Sequence, residues 1–113
     1  MLKPIAEDSF RPLGVDELIA SLREKWSVSY DLQLVIRNKC LYLQVMWAFL
    51  EQQSFPLDET GYRVHLGEVL DVVNRLRLAD DVREWLINTS KSPRPGKALT
   101  FKLEASGVEE FVI

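Results

Sequence analysis

The 113-residue sequence is poor in histidine and cysteine, the ligands of the common zinc sites and frequent catalytic groups. It contains one histidine and one cysteine, Cys40, which has no second cysteine for an internal disulfide bond. A reducing compartment is therefore the default expectation. The common zinc sites need three or four His and Cys ligands, so the sequence predicts no metal site of these kinds.

The five glycines are isolated from one another, at positions 14, 61, 67, 96 and 107. This spacing matches neither the dinucleotide-binding fingerprint nor the phosphate-binding loop. No nucleophile-elbow pattern precedes His65, the residue on which a histidine-dependent catalytic arrangement would rely. The sequence assigns no catalytic residue and no cofactor, and it favours a protein without enzymatic activity.

Long apolar segments are also missing. The most apolar stretch, residues 40–50, is interrupted by Gln44 and is far shorter than the ~20 residues of a membrane-spanning helix. Residues 1–12 contain Glu7 and Asp8 and lack the apolar core of a secretory signal. We therefore expect no membrane span and a protein that works in the cytoplasm, where it is made.

The composition is that of an ordinary globular domain, with 47% hydrophobic and 27% charged residues. A net charge of −3 argues against a general nucleic-acid binder. The charges are unevenly distributed, because residues 51–84 contain eight acidic and four basic side chains, whereas residues 91–102 contain four basic side chains and no acidic one. We expect a molecule with an acidic side and a basic side. The ordinary interpretation of each charged segment is a face exposed to solvent.

Apolar spacing predicts the helices. A stripe with helical spacing covers residues 15–26. Asp58 is a suitable N-cap for a second helix, which continues to about residue 76. A further helix is expected over about residues 80–89.

Alternating apolar and polar residues predict the strands. The alternation indicates a hairpin over about residues 29–46, with Asn38 and Lys39 in its turn. We expect its second strand to pass into a helix of about two turns that ends near Gln53. The same alternation predicts a third strand over about residues 97–104.

Together these elements predict an α/β (α+β) fold. We expect a small, mainly antiparallel three-stranded sheet with three to four helices packed on one face. The globular domain is expected at residues 14–105. A loose N-terminal arm (residues 1–13) would precede it, and a C-terminal tail (residues 106–113) would follow it.

A connector between two predicted helices is the first candidate binding surface. Phe55 and Pro56 lie there in a rigid, extended segment. Phe55 either fills a place in the core or forms an apolar ledge for a partner. Trp47 is expected to pack in the core, and it would be an anchor for a partner if it were exposed.

The second candidate surface is the cationic segment before the last strand. Residues 91–97 place three basic side chains on a loop that contains two prolines. The prolines reduce the entropy that binding would cost, and Arg94 and Lys97 are suited to grip a phosphate or a carboxylate. An ordinary exposed loop is the alternative interpretation.

His65 is the only imidazole, and it lies one helical turn after Tyr62. It is either a proton-handling group in a ligand pocket with Tyr62 or a boundary residue with local hydrogen bonds. Cys40 has a cationic neighbour, yet a small buried apolar residue is the favoured interpretation over a reactive thiol.

Three short motifs resemble an uncharacterised family of cyanobacteria and of plant and algal chloroplasts, known only as a domain of unknown function. They are LYLQVMW at residues 41–47, LEQQSFP at 50–56 and PRPGKA at 93–98. The similarity extends over about residues 15–104, and LEQQSFP is its most specific part. It implies a soluble cytosolic or stromal protein of a photosynthetic organism, and it supplies no known reaction or cofactor.

These observations favour a non-catalytic protein-binding or assembly factor that supports the photosynthetic apparatus. Its contact surface would combine the Phe55–Pro56 connector and Trp47 with the Arg94–Lys97 loop. An alternative is a small-ligand binder or enzyme that uses His65, Tyr62 and the same loop. RNA binding through residues 91–102 is a weaker alternative because of the acidic total charge.

Overall fold

The computed structural model describes residues 11–103 and confirms the predicted α+β fold. Residues 1–10 of the predicted arm and the whole of the predicted tail lie outside the described residues. The elements are α1 Val15–Trp26, β1 Tyr30–Arg37, β2 Cys40–Phe49, α2 Glu59–Arg75, α3 Ala79–Asn88 and β3 Leu99–Leu103.

The three strands form an antiparallel sheet in the order β1-β2-β3. Asn38 and Lys39 join β1 to β2 and both have positive φ angles, of 52° and 65°. Two successive positive φ angles are the requirement of a type I′ turn, whose twist matches that of the flanking strands. The predicted two-residue turn is therefore confirmed.

The core lies between one face of the sheet and the helices. Leu32, Leu43 and Val45 are at most 2% exposed and alternate with more exposed neighbours along β1 and β2. The helices present their apolar stripes to the same core. Their buried side chains include Leu18, Leu22, Tyr62, Leu66, Leu70, Val73, Val82 and Leu86.

The predicted helix ending near Gln53 is wrong, because β2 continues as a strand to Phe49. Phe49 pairs with Tyr30, and the two rings pack edge to face with centroids 5.8 Å apart. Between this pair and the next pair, Leu32 with Val45, β2 contains two extra residues, which form a bulge. Pairing with β1 and aromatic packing thus outweigh the local helical pattern, and the hairpin extends beyond residue 46.

Helix α2 lies along the outer edge of β1 and supplies it with hydrogen-bond donors. The Tyr62 hydroxyl donates to the backbone oxygen of Tyr30 at 2.8 Å. One turn later, His65 Nε2 lies 2.7 Å from the backbone oxygen of Leu32, which can only accept, so this nitrogen carries the proton. Side chains of α2 therefore take the place of a further strand at this edge.

A buried serine connects the end of α1 with the turn after β2. Ser29 is fully buried; its N–H and its hydroxyl each donate to a different carboxylate oxygen of Glu51 at 2.8 Å. Arg23 Nε donates to the same hydroxyl at 2.8 Å. Burial acts to raise the pKa of Glu51, but the hydrogen bonds from Ser29 outweigh it and place the pKa below its usual value.

We expect Glu51→Gln to lower the free energy of unfolding by about 1 kcal/mol at neutral pH, because one Ser29 donor loses a charged acceptor. The effect is modest because 41% of the Glu51 side chain is exposed and solvent screens its charge. The folded pKa is the lower one, so this contribution is complete above the unfolded pKa of 4.5 and is lost as the pH falls through the folded pKa.

Urea unfolding of both proteins at neutral pH and near pH 3 checks this prediction. The difference in free energy of unfolding between wild type and Glu51→Gln should be smaller at the acidic pH. If this difference were the same at both pH values, the charge of Glu51 would not contribute to the stability of the fold.

Arg83 on α3 holds the start of α1 and the segment before it. Its guanidinium donates to both carboxylate oxygens of Glu17, at 2.7 and 3.0 Å. It also donates to the backbone oxygens of Arg11 and Pro12 and to Asp80 Oδ1. The hydrogen bonds from Arg83 lower the pKa of Glu17, and those to Glu17 raise the pKa of Arg83.

The same N-terminal segment is bound by α2. Leu13 is 2% exposed, and its backbone N–H and oxygen are both hydrogen-bonded to the Asn74 side chain, at 2.9 and 3.1 Å. Residues 11–13, which the sequence places in the arm, are thus held against the domain at the N-terminus of α1.

Candidate functional site

The basic loop, which we define as residues 91–97, connects α3 to β3 and is shaped by its own sequence. Pro95 and Gly96 form a tight turn, and Gly96 has a φ of 77°. Proline followed by a residue with positive φ is the pattern of a type II turn, in which glycine avoids the strain that a side chain would introduce. Pro93 is buried, so one end of the loop is fixed to the domain.

This turn places Arg94 and Lys97 directly opposite each other. Arg94 N donates to Lys97 O at 3.0 Å, and Lys97 N donates to Arg94 O at 2.8 Å. In such an antiparallel pair the Cα atoms are about 5.5 Å apart and the two side chains leave on the same face. Two cations are therefore held side by side by backbone hydrogen bonds.

The basic loop and the start of β3 surround a pocket of about 530 Å³. Apart from Ala98 and Leu99, the described residues that line it are polar or cationic, and none of them is acidic. The cationic ones are Lys91, Arg94 and Lys97, and the hydroxyl-bearing ones are Ser90, Ser92 and Thr100.

The three cations of the basic loop are exposed. None of the ion pairs within residues 11–103 includes Lys91, Arg94 or Lys97. By contrast, Arg63 and Arg83 are paired with carboxylates at distances of 2.7 Å. Like charges that share one pocket repel each other, so an anion that enters relieves this repulsion and gains several donors at once.

Trp47 belongs to the neighbouring strand. Its ring packs edge to face on Phe49 at 5.6 Å, and 39% of the residue is exposed. The last pair between β2 and β3 joins Val45 to Leu99, so β2 continues past Val45 at the end of the sheet where the basic loop enters β3. Trp47 is thus a partly exposed aromatic residue at the same end of the sheet as the loop.

In the connector between β2 and α2, one part packs against the core and another part is exposed to solvent. Phe55 is half-buried, and its ring packs edge to face on Tyr62 with centroids 5.9 Å apart. Pro56 and Leu57 are exposed. Phe55 therefore packs against the core, and the pocket of the basic loop includes neither Phe55 nor Pro56.

Tyr62 and His65 use their hydrogen-bonding groups within the fold. Tyr62 is fully buried, and burial, followed by the negative charges of Asp31 and Glu51, raises the pKa of its hydroxyl, which keeps its proton to donate. Asp31 Oδ1 lies 3.1 Å from His65 Nε2, but the N–H is directed to the Leu32 oxygen. The pocket of the basic loop is lined by neither Tyr62 nor His65.

Comparison with known proteins gives the family. The sequence matches the domain of unknown function DUF3067 over residues 16–112. The chain belongs to the DUF3067 family. Its structure is similar to the solution NMR structure of the Alr2454 protein from Nostoc sp. strain PCC 7120, with a TM-score of 0.80 and 37% identity. The similarity covers 89% of this chain and 98% of the Nostoc chain.

No protein of curated function matches this DUF3067 chain. The resemblance to an uncharacterised family with cyanobacterial members is therefore confirmed, while occurrence in chloroplasts stays a prediction. Within residues 11–103, no helix has both the length and the apolar character needed to cross a membrane. The same residues contain no cluster of three or more His, Cys, Asp and Glu side chains that could hold a metal ion.

Sequence reasoning found the cations of this DUF3067 pocket but missed its hydroxyl groups. Nothing in the local sequence marks Ser90, Ser92 or Thr100 as residues of a binding site. The Pro95-Gly96 dipeptide is a sequence signal for a tight turn, and this turn brings Arg94 and Lys97 into their antiparallel pair.

Proposed function

We propose that this protein is a non-catalytic protein-binding or assembly factor of a photosynthetic organism, which acts in the cytoplasm. In this proposal the basic loop grips an anionic group on a partner protein. The observation that carries it is the pocket in which the backbone pairs Arg94 with Lys97 and to which no acidic side chain of residues 11–103 contributes. The exposed part of Trp47, at the same end of the sheet as the loop, would add an apolar contact.

The lining of the pocket supports binding rather than catalysis. Hydrolytic and transfer reactions commonly use a histidine or carboxylate as the general base, and within residues 11–103 neither residue type lines this pocket. The alternative enzyme would need His65 and Tyr62 at the loop, yet both donate to β1 instead. Two prolines and a backbone-paired turn reduce the entropy that the loop loses when it binds.

A pull-down from a cyanobacterial lysate tests the proposal, with the double variant Arg94→Ala/Lys97→Ala as bait beside wild type. The matched control is Arg37→Ala/Lys39→Ala, which removes the same two residue types from exposed positions at the β1–β2 turn, near the far end of the sheet. We expect the loop variant to recover the partner at least about ten-fold less well, because it loses charge-assisted hydrogen bonds. The control should recover it like wild type.

The melting temperatures of all three baits should agree within a few degrees, since the four replaced side chains are exposed. Equal recovery by wild type and the loop variant would contradict the proposal. Recovery that disappears after ribonuclease treatment would also contradict it, and would favour the RNA-binding alternative.

A further inference from the structure

We infer that the anion held by the basic loop is a phosphate monoester, carried by a phosphorylated side chain of the partner protein. This inference rests on the proposed function and specifies the chemistry of its ligand. It begins from the number of cations that the fold brings together. Lys91, Arg94 and Lys97 give one pocket three positive charges, and none of the described residues that line it is negatively charged.

The charge of the ligand should match the charge of the pocket. A carboxylate carries one negative charge, and a single arginine can satisfy both of its oxygens in a bidentate pair. A phosphate monoester carries about −1.5 to −2 charges at neutral pH and three acceptor oxygens. Three cations in one pocket are therefore better matched by a phosphate monoester than by an aspartate or glutamate side chain.

The arrangement of donors leads to the same ligand. Arg94 offers a planar fork of N–H groups, while Lys91 and Lys97 offer point charges that can approach from other directions. Ser90, Ser92 and Thr100 add hydroxyl groups around the same pocket, which suit the remaining acceptor sites of a tetrahedral anion. The pocket, of about 530 Å³, has room for the phosphate together with the side chain that bears it.

The backbone of the turn favours a ligand that needs both opposed cations. Like charges directly opposite each other on an antiparallel pair are destabilising. Here the two hydrogen bonds between Arg94 and Lys97 hold the pair in place, and neither side chain forms an ion pair with an acidic residue within residues 11–103. A dianionic group between the two side chains removes this repulsion more completely than a single negative charge does.

Binding of small probes to the full chain, followed by NMR chemical shifts of the loop amides, tests the ligand class. The probes are N-acetyl-O-phosphoserine amide, N-acetyl-aspartate amide and inorganic phosphate, at constant ionic strength. We expect phosphoserine to bind at least about ten-fold more tightly than aspartate. The Arg94→Ala/Lys97→Ala variant should lose this preference, and Arg37→Ala/Lys39→Ala should keep it.

The pH dependence provides a second readout. Among the residues that the structure describes, no histidine or carboxylate lines the pocket, so ionisation of the ligand is the relevant titration. The second pKa of a phosphate monoester is about 6, and binding should therefore tighten several-fold between pH 5 and 7. The affinity of the aspartate probe, which is ionised throughout this pH range, should not increase.

The two proposals fail in distinguishable ways. If phosphoserine and aspartate bind equally, or if phosphatase treatment of the lysate leaves loop-dependent recovery of the partner unchanged, the phosphate inference is wrong and the binding function stands. If inorganic phosphate binds as tightly as phosphoserine and phosphatase treatment has no effect on recovery, the site takes a free anion, and the inference is again wrong. Partner recovery that does not depend on the loop overturns the proposed function itself.

Discussion

Tyr62→Ala should lower the free energy of unfolding by about 4 kcal/mol, the largest effect that we expect from a single substitution in this fold. The side chain is fully buried beneath Phe55, and its removal leaves a large cavity next to the edge of β1. It also leaves the buried backbone oxygen of Tyr30 without its hydroxyl donor. Domains of ordinary stability have a free energy of unfolding of roughly 5–15 kcal/mol, so the Tyr62→Ala variant would keep only part of that stability.

Two further variants separate the contributions. Tyr62→Phe keeps the ring and removes only the hydroxyl, so we expect a loss of about 1–2 kcal/mol. Val64→Ala on the same helix is the control, because Val64 is 58% exposed and its truncation should change stability by less than about 0.5 kcal/mol. Urea unfolding monitored by circular dichroism measures all three. If Tyr62→Ala were no more destabilising than Tyr62→Phe, ring burial would not be the main contribution.

Arg83→Met should lower the free energy of unfolding by about 3 kcal/mol. The substitution preserves much of the aliphatic packing but removes donors to Glu17, to Asp80 and to the backbone oxygens of Arg11 and Pro12. Arg83 is only 13% exposed, and its two hydrogen bonds to Glu17 are partly buried and weakly screened, whereas those to Asp80 and to the two backbone oxygens are exposed. Because Glu17 is 37% exposed, we place the effect at the lower end of the range for broken buried ion pairs.

Arg75→Met is the matched control for this second prediction. Arg75 pairs with Asp71 at 3.0 Å, but both side chains are mostly exposed, and such a pair contributes less than about 0.5 kcal/mol. Thermal unfolding should therefore separate the two variants clearly. Hydrogen exchange at the amides of residues 13–18 should also accelerate in Arg83→Met alone. Equal melting temperatures would show that the Arg83 cluster does not stabilise the domain.

The predictable parts of this structure are those that local sequence determines. Apolar spacing located α1 and α2, and Asp58 caps α2 as expected, with its side chain accepting a hydrogen bond from Gly61 N. Asn38 and Lys39 form the turn between β1 and β2 because a two-residue turn needs positive φ angles, which asparagine tolerates. Pro95 and Gly96 likewise shape the basic loop.

The parts that could not be predicted depend on contacts between distant residues. Residues 43, 46, 47 and 50 share a helical face, but pairing with β1 and aromatic packing on Tyr30 keep residues 46–49 in a strand. Arg83 and Glu17 are 66 positions apart, and nothing near either residue indicates the pair. The pocket differs, because its described lining residues all lie within residues 90–100, yet the sequence does not show which hydroxyl side chains line it together with the cations.

The position of α2 along β1 has a consequence for self-association. The open edge of a sheet is a template on which a strand of another molecule can add, and this is a common first step toward fibrils. At Tyr30 and Leu32 the acceptors that an incoming strand would need are already occupied by Tyr62 and His65. This half of the edge is therefore closed to intermolecular strand addition by two side chains one helical turn apart.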